Sequence, residues 1–249
     1  MKVFSVFGIT KSGKTTTIEN IIAELRKRRY SVGSVKEIHF EKFAIDTEGT
    51  NTDRHKKAGS QLVTARGIYE TDVLFPRQLA INDILNFYDH DYVVLEGVTD
   101  TCAPKIVTAH NTEEVDERLD DTVFAISGRL ANSMQEYRGL PVINPITERE
   151  KLVDLIEEKV FTRLPDVAPE CCAACGMSCT ELAAGILKGT AKREDCVISD
   201  GSIILTIDGR EIDIVPFVQK LLYNAVTGVA KELDGYRHNG EIVVKIKGK

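Results

Sequence analysis

The chain has 249 residues, and its 38 acidic residues outnumber its 32 basic ones, so the net charge is −6. This length accommodates one full α/β domain and a smaller appendage, and the acidic balance argues against a general nucleic-acid binder. No apolar run approaches the roughly 20 residues that cross a bilayer, so we expect a cytoplasmic protein with no nucleic-acid or membrane partner.

The first predicted strand, Val3–Phe7, leads into Gly8-Ile-Thr-Lys-Ser-Gly-Lys-Thr15 and then into a helix predicted over residues 15–28. A G-x4-G-K-T sequence between a strand and a helix is a phosphate-binding loop. Lys14 is expected to reach the β- and γ-phosphates, and Thr15 to place its hydroxyl on Mg²⁺. The predicted nucleotide contacts in this segment are Gly8, Lys11, Ser12, Gly13, Lys14, Thr15 and Thr16. The motif alone leaves GTP and ATP both open.

Short apolar runs alternate with helical patterns along residues 1–163, which predicts an α/β nucleotide-binding domain. Alternation of this kind gives a P-loop NTPase fold, with a mostly parallel sheet, helices on both faces and the nucleotide at the carboxyl ends of the strands. Further helices are predicted over residues 77–87 and 147–161. The other predicted strands are Val32–Lys36, Asp72–Phe75, Tyr92–Glu96, Lys105–Thr108, Val123–Ile126 and Pro141–Ile143.

Polar residues follow the second strand and end the strand at 92–96. Glu96 terminates an apolar strand, where a carboxylate can hold Mg²⁺ or orient a water; Lys14 and Glu96 are therefore the predicted catalytic residues, and Thr15 and Glu96 the predicted Mg²⁺ ligands. Lys36 is expected at the same sheet edge as the phosphate loop. The polar loop 46–55 then supplies Arg54 as a further predicted nucleotide contact, although a solvated surface loop explains it equally well.

Together these residues resemble the molybdopterin-guanine dinucleotide biosynthesis protein B family over roughly residues 1–160. The resemblance implies a homodimeric GTP-binding accessory protein with weak GTPase activity, which assists the enzyme that attaches GMP to molybdopterin. It also implies that the loop from Gly49 to Gly59 and the Glu96-Gly97 pair line the nucleotide and the partner-facing surface. The residues that carry the resemblance are Gly8 to Thr15, Val35, Lys36, His39, Asp46, Gly49, Thr52, Arg54, His55, Ala58, Gly59, Leu95, Glu96, Gly97, Pro104 and Lys105.

Two departures from the usual pattern concern the base and the metal. At Asn51 the family more usually has an acidic residue, so this chain lacks the carboxylate that a metal or base role there would use. The Asn-Lys-x-Asp guanine-reading motif is absent from the sequence, so the preference for guanine comes from the resemblance and not from particular residues. Asn144 could read a base edge, but a turn-forming Asn before Pro145 explains it better.

A linker over residues 164–170 contains two prolines and separates the nucleotide domain from a cysteine-rich segment at 171–200. Sixteen residues separate Cys196 from the cluster formed by Cys171-Cys-Ala-Ala-Cys175 and Cys179, and a short helix is predicted over 181–189. Five clustered thiols in a reducing compartment indicate a metal site rather than disulfides. The predicted ligands are Cys172, Cys175, Cys179 and Cys196, with Cys171 as an alternative to Cys172.

The cysteine segment resembles the four-cysteine [4Fe-4S] module of corrinoid iron–sulfur proteins and of the B subunit of membrane electron-transport complexes. The gap from Cys175 to Cys179 is one residue shorter than in those modules. An iron–sulfur cluster is favoured over Zn²⁺ because zinc sites typically use two close pairs of ligands.

Residues 201–249 form a predicted small ββαβ module. Two runs, 202–207 and 211–215, flank Asp208-Gly209, a strong hairpin signal. A helix is predicted over 218–233 and a last strand over 241–246.

Three functions remain open at this point. The first is a GTP-binding accessory protein of molybdenum or tungsten cofactor maturation, which would contact a GMP-transferring enzyme or a molybdoenzyme client and could bind molybdopterin. The second is a nucleotide-driven metallochaperone that transfers a metal or cluster from the cysteines to a client enzyme. The third, a small-molecule kinase, leaves the cysteines unexplained.

Overall fold

The computed structural model describes residues 1–40, 43–166, 172, 175–196, 203–212, 214, 216–234 and 242–246. The helices among these residues include none with the length and apolarity needed to cross a bilayer. In chain order the elements are β1 (Lys2–Gly8), α1 (Lys14–Lys27), β2 (Val32–Lys36), α2 (Asn51–Lys57), β3 (Val63–Arg66), β4 (Thr71–Leu74), α3 (Ile81–Leu85), β5 (Tyr92–Glu96), β6 (Lys105–Thr108), α4 (Thr112–Asp116), β7 (Val123–Ser127), β8 (Glu136–Tyr137), β9 (Leu140–Pro141), α5 (Arg149–Lys159), α6 (Cys179–Lys188), β10 (Leu205–Ile207), β11 (Arg210–Ile212) and α7 (Pro216–Lys231).

A five-stranded parallel sheet in the order β2-β5-β1-β6-β7 forms the centre of residues 1–163. Its strands carry the near-continuous apolar runs that parallel sheets need because both of their faces are covered. Phe4, Val94 and Ile106 are all fully buried. The predicted α/β class with a mostly parallel sheet is therefore confirmed for this part of the chain.

The register of this sheet determines which strand ends are neighbours. Lys36 of β2 pairs with Glu96 of β5, and Gly8 of β1 pairs with Thr108 of β6. Because all five strands run in the same direction, their carboxyl ends lie along one edge. The loop after β1 therefore lies between the ends of β5 and β6.

The first helix follows its predicted pattern closely. Ile18, Ile21 and Leu25 recur at helical spacing and are buried. The buried carboxylate of Glu24 forms an ion pair with Arg28, and Arg28 reaches Glu157 of α5 with an N–O distance of 2.5 Å. This ion-pair chain fastens α5 beside α1 and so supports the helix that begins at the phosphate loop.

Three expectations for this unit were wrong in detail. The run 72–75 belongs to an antiparallel pair, β3 with β4, outside the parallel sheet. Near 141–143 only a two-residue strand forms, with a single bridge from Val142 to Ile126. The polar loop at 46–55 contains the start of helix α2, whose N-cap Thr50 accepts a hydrogen bond from the N–H of Asp53.

The chain divides into two compact units, Met1–Arg163 and Leu164–Lys249. In the second unit, α6 begins with a capping box in which Ser178 and Glu181 satisfy each other's backbone N–H groups. Gly189, at φ 75°, ends the helix in the left-handed conformation that glycine adopts without strain. Leu182 and Ala183 on this helix are fully buried.

The carboxyl-terminal part of the second unit confirms the predicted hairpin. Strands β10 and β11 pair antiparallel, and Asp208 and Gly209 between them have φ of 51° and 77°. Two positive φ values are what a tight hairpin turn requires. Helix α7 follows, but the predicted last strand is wrong for its described part, since residues 242–246 lie outside any strand.

Candidate functional site

The phosphate loop connects β1 to α1 and needs glycine at two positions. A Cβ on Gly8, at φ 152°, would lie 2.0 Å from the carbonyl oxygen of Thr108. Gly13 has φ 108°, and a Cβ there would lie 3.1 Å from the Cα of Gly128. Both glycines let the loop approach the ends of β6 and β7 more closely than any other residue could.

Neighbouring strand ends hold the shape of this loop by hydrogen bonds. The hydroxyl of Ser12 lies 2.7 Å from that of Thr108, and the carbonyl of Ser12 accepts from the N–H of Arg129 at 3.0 Å. Nε2 of His110 lies 3.0 Å from the carbonyl oxygen of Lys11. The backbone of the loop is therefore braced from the β6 and β7 side.

Lys14 places its ammonium group over the loop. Its Nζ donates to the carbonyl oxygens of Gly8, at 2.9 Å, and Ile9, at 2.5 Å. Burial lowers the pKa of Lys14, the charge of Glu96 acts in the opposite direction, and Lys36 lowers it further. The positive charge lies where phosphate oxygens would meet the N–H groups of the loop.

One carboxylate oxygen of Glu96 accepts hydrogen bonds from the side chains of both Thr15 and Lys36. The hydroxyl of Thr15 donates to Oε1 of Glu96 at 3.0 Å, and Nζ of Lys36 lies 2.5 Å from the same oxygen. The side chain of Glu96 is only 12% exposed. A hydroxyl and a carboxylate beside a phosphate loop are hard oxygen donors of the kind that Mg²⁺ prefers, so these residues fit a nucleotide-bound Mg²⁺.

Arg54 does not join this group of residues. It is exposed on α2, and it forms no side-chain hydrogen bond or ion pair with the part of the chain that the structure describes. Its helix is held instead by Asp46, whose carboxylate forms a 2.8 Å ion pair with Lys56. Hydrogen bonds from Lys56, Thr50 and Thr52 lower the pKa of Asp46 to about 2.

A cavity of about 420 Å³ opens beside the loop and the start of α1. The loop side of the cavity contains four of the predicted nucleotide contacts besides Lys14. The other side is formed by residues that follow β7 and β9. Of these, only Asn144 is a candidate from the sequence, as a reader of a base edge, because no motif marks the others. The lining residues are Lys11, Gly13, Lys14, Thr15, Thr16, Gly128, Arg129, Asn132, Asn144, Pro145 and Ile146.

Asn144 has the turn-forming role that the sequence favoured. Its Oδ1 accepts hydrogen bonds from the backbone N–H of Ile146, at 2.9 Å, and of Thr147, at 3.1 Å. Its Nδ2 donates to Oδ1 of Asn132 at 2.9 Å. All three bonds tie the Asn144 amide to the protein.

The structure does not assemble the predicted cysteine site. Cys172, Cys175 and Cys179 are half-buried and Cys196 is buried, while Cys171 lies outside the described residues. Cys179 is the first residue of α6, directly after its cap. Among the described residues no three His, Cys, Asp or Glu side chains lie close enough together to hold a metal. The donor set suits an iron–sulfur cluster, but this arrangement does not fit one.

Comparison with known proteins places residues 3–128, just over half of the chain, under a family model described as molybdopterin guanine dinucleotide synthesis protein B. A relative from Methanocaldococcus jannaschii, named as a molybdopterin-guanine dinucleotide biosynthesis adapter protein, is 27% identical over 99% of this chain and 97% of its own length. A relative of the same description from Bacillus subtilis is 28% identical over 57% of this chain and 84% of its own length.

A solved structure supports the fold. The crystal structure of Bacillus subtilis MobB superimposes with a TM-score of 0.54 at 23% sequence identity, covering 66% of this chain and 100% of that one. At this identity the likeness concerns the fold alone. The match to the Methanocaldococcus jannaschii relative, by contrast, runs over nearly the whole chain.

Proposed function

The chain belongs to the molybdopterin guanine dinucleotide synthesis protein B family, and from this premise we propose that it is a GTP-binding adapter protein in molybdopterin guanine dinucleotide biosynthesis. The names of its relatives from Methanocaldococcus jannaschii and Bacillus subtilis support the adapter role. The observation that carries the proposal is the braced phosphate loop, with Lys14 above it and the Thr15–Glu96 hydrogen bond beside it.

In this proposal the loop N–H groups and Lys14 bind the phosphates of GTP. Thr15 and Glu96 hold the Mg²⁺ that accompanies the nucleotide, and the metal would neutralise phosphate charge. Lys36 already forms an ion pair with Glu96, so Mg²⁺ binding requires that pair to open or to turn toward phosphate. A carboxylate engaged by two side chains is a poor base for water, which agrees with a slow GTPase at most.

The partner in this proposal is the enzyme that transfers GMP to molybdopterin, and the client cofactor contains molybdenum or tungsten. The test reconstitutes that transfer with a purified GMP-transferring enzyme, molybdopterin and Mg·GTP, with and without the full chain. We expect the chain to increase the yield of dinucleotide cofactor, and Thr15→Ala to reduce the increase. An unchanged yield with the chain present would refute the adapter role.

A homodimer is the assembly that the family resemblance implies for this adapter. Light scattering on the full chain measures it directly. A mass near twice the 27.6 kDa of one chain is expected. A monomer at all concentrations would remove this part of the proposal.

The cysteines carry no step in this function, and metal transfer by a metallochaperone receives no support from their described positions. The iron–sulfur cluster stays a prediction from the sequence, with Zn²⁺ as its alternative. Anaerobic purification followed by iron, zinc and sulfide analysis tests it. Four iron and four sulfide per chain would support the cluster, and a colourless protein with zinc or no metal would exclude it.

A further inference from the structure

We propose that Asn132 selects guanine by donating a hydrogen bond from its side-chain amide to the 6-oxo edge of the base. The inference rests on the nucleotide-binding function proposed above and assigns its base preference to a residue. Asn132 follows β7 and lines the same cavity as Lys14 and Thr15. One cavity therefore contains both a phosphate-binding end and a polar group suited to a base edge.

The cavity also has walls suited to a flat ring. Pro145 and Ile146 contribute apolar surface, and Ile146 is 66% exposed. Arg129 lines the same cavity, and among the described residues no side-chain hydrogen bond or ion pair engages it. Apolar walls with a few placed polar groups are typical of small-ligand sites.

The orientation of Asn132 follows from a chain of hydrogen bonds that starts at the backbone. A backbone N–H can only donate, so the Asn144 atom facing the N–H groups of Ile146 and Thr147 must be its oxygen. The Asn144 nitrogen then donates to Asn132, whose facing atom must also be oxygen. The amide orientation of Asn132 is therefore determined by the turn at 144–147.

With its oxygen held by Asn144, Asn132 has its NH2 group left to bind a ligand. No hydrogen bond joins this NH2 group to the described part of the chain. Guanine and adenine both carry the acceptor N7, but at position 6 guanine carries the acceptor O6 and adenine a donor NH2 group. A donor amide that faces position 6 therefore favours a 6-oxo purine and repels a 6-amino purine.

The test is competition against a fluorescent GTP analogue on the full chain, with GTP, ITP and ATP each as Mg²⁺ complexes. ITP shares the 6-oxo group of guanine and lacks its 2-amino group. We expect GTP and ITP to bind about tenfold more tightly than ATP, a ratio that corresponds to about 1.4 kcal/mol, which is within the range that one net hydrogen bond supplies.

Two variants separate the donor from the rest of the side chain. Asn132→Asp keeps an oxygen for Asn144 and replaces the NH2 group by a carboxylate oxygen, so GTP affinity should fall and ATP affinity should rise. Asn132→Ala should lower GTP and ITP affinity to the level of ATP. Gln135→Ala, an exposed neighbour outside the cavity beside the loop, should change none of the three.

A GTP-to-ATP affinity ratio that is the same in the wild type and in both Asn132 variants would overturn this inference. It would also be overturned if Gln135→Ala changed this ratio as much as the Asn132 variants do. Lys14→Ala separates that failure from failure of the proposed function. If Lys14→Ala abolishes binding while the Asn132 variants keep the wild-type ratio, only the base assignment is wrong. If the wild type binds no nucleotide, the proposed function itself is wrong.

Discussion

In residues 1–163, Thr15, Lys36 and Glu96 lie within hydrogen-bond distance because they stand at neighbouring strand ends and a helix start. In residues 164–249, the described cysteines lie at 172, 175, 179 and 196 without three ligands meeting. In the first unit, the sheet register brings the site residues together. Among the described residues of the second unit, no strand pairing brings the cysteines together. A site built on strand ends is assembled by folding alone, whereas a thiolate site couples its geometry to the metal it binds.

The glycines offer the largest expected contrast between the two units. Gly8→Ala would place a Cβ 2.0 Å from the carbonyl oxygen of Thr108, so we expect GTP binding to be lost and the free energy of unfolding to fall by about 3 kcal/mol or more. Gly228→Ala on α7 meets nothing within 4 Å, so GTP binding should stay unchanged and the free energy of unfolding should rise by about 0.5–1 kcal/mol, because alanine favours a helix over glycine. Nucleotide titration and denaturant unfolding measure the pair. Normal GTP binding by Gly8→Ala would show that the loop is not constrained as described.

Truncating a core leucine in each unit sharpens the same comparison. Leu182 on α6 and Leu25 on α1 are both fully buried, and replacing either by Ala should cost about 2–5 kcal/mol. Leu182→Ala is expected to raise hydrogen exchange along α6 without changing GTP affinity, whereas Leu25→Ala should weaken GTP binding as well. A loss of GTP affinity in Leu182→Ala would mean that the two units are energetically coupled.

Glu96→Gln tests the metal side of the site with a smaller effect. The amide keeps an oxygen that can accept from Thr15 but loses the charge that attracts Mg²⁺. We expect Mg²⁺ to strengthen GTP binding about tenfold less than in the wild type. Glu37→Gln is the control, because Glu37 follows β2 and its backbone N–H donates to the carbonyl oxygen of Glu96. An unchanged Mg²⁺ dependence in Glu96→Gln would remove Glu96 from the metal site.

The smallest expected effect is a loss of stability of α2 at low pH, when Asp46 is protonated. Its folded pKa is lowered to about 2 from 3.8, first by the hydrogen bond from Lys56. The ionised carboxylate stabilises the fold, so this contribution is complete above pH 3.8 and is lost as the pH falls through about 2. The protection of the α2 amides from hydrogen exchange, corrected for the intrinsic pH dependence of exchange, should therefore fall progressively as the pH drops from about 4 to about 2, and Asp46→Asn should remove this fall. A loss of protection that is already complete at about pH 4 in the wild type would contradict the assignment.

Much of the nucleotide unit was predictable from the sequence because its signals are local. The phosphate loop needs two glycines and a lysine at fixed spacing, and five apolar runs predicted the five strands of the parallel sheet. Glu96 was found because it ends such a run. Lys36 was expected at the same sheet edge as the phosphate loop by the rule that parallel strands end at one edge, and the structure adds that it pairs with Glu96 there.

The parts of the fold and of the site that the sequence did not predict depend on contacts that no local pattern encodes. Asn132 and Arg129 reach the cavity only because β7 lies next to β6 and the chain then turns. The alternating run at 241–246 predicted a strand, yet alternation forms a strand only where a partner offers hydrogen bonds. Arg54 was predicted as a nucleotide contact because a polar loop contains it, but it lies exposed on α2, apart from Thr15 and Glu96. Ion pairs of Lys56 with Asp46 and of Lys57 with Asp53 hold that helix.

We propose the loop from Gly8 to Thr15, with Lys14 above it, as the GTP site of the chain, and the expectations for Glu96, Asn132 and the adapter role depend on that proposal. Calorimetric titration of the full chain with Mg·GTP, beside Lys14→Ala and the surface control Lys27→Ala, decides it. We expect one GTP per chain, affinity at least about a hundredfold lower in Lys14→Ala because its charge-assisted hydrogen bonds to phosphate are lost, and wild-type affinity in Lys27→Ala. Equal affinity of the wild type and Lys14→Ala would contradict the assignment.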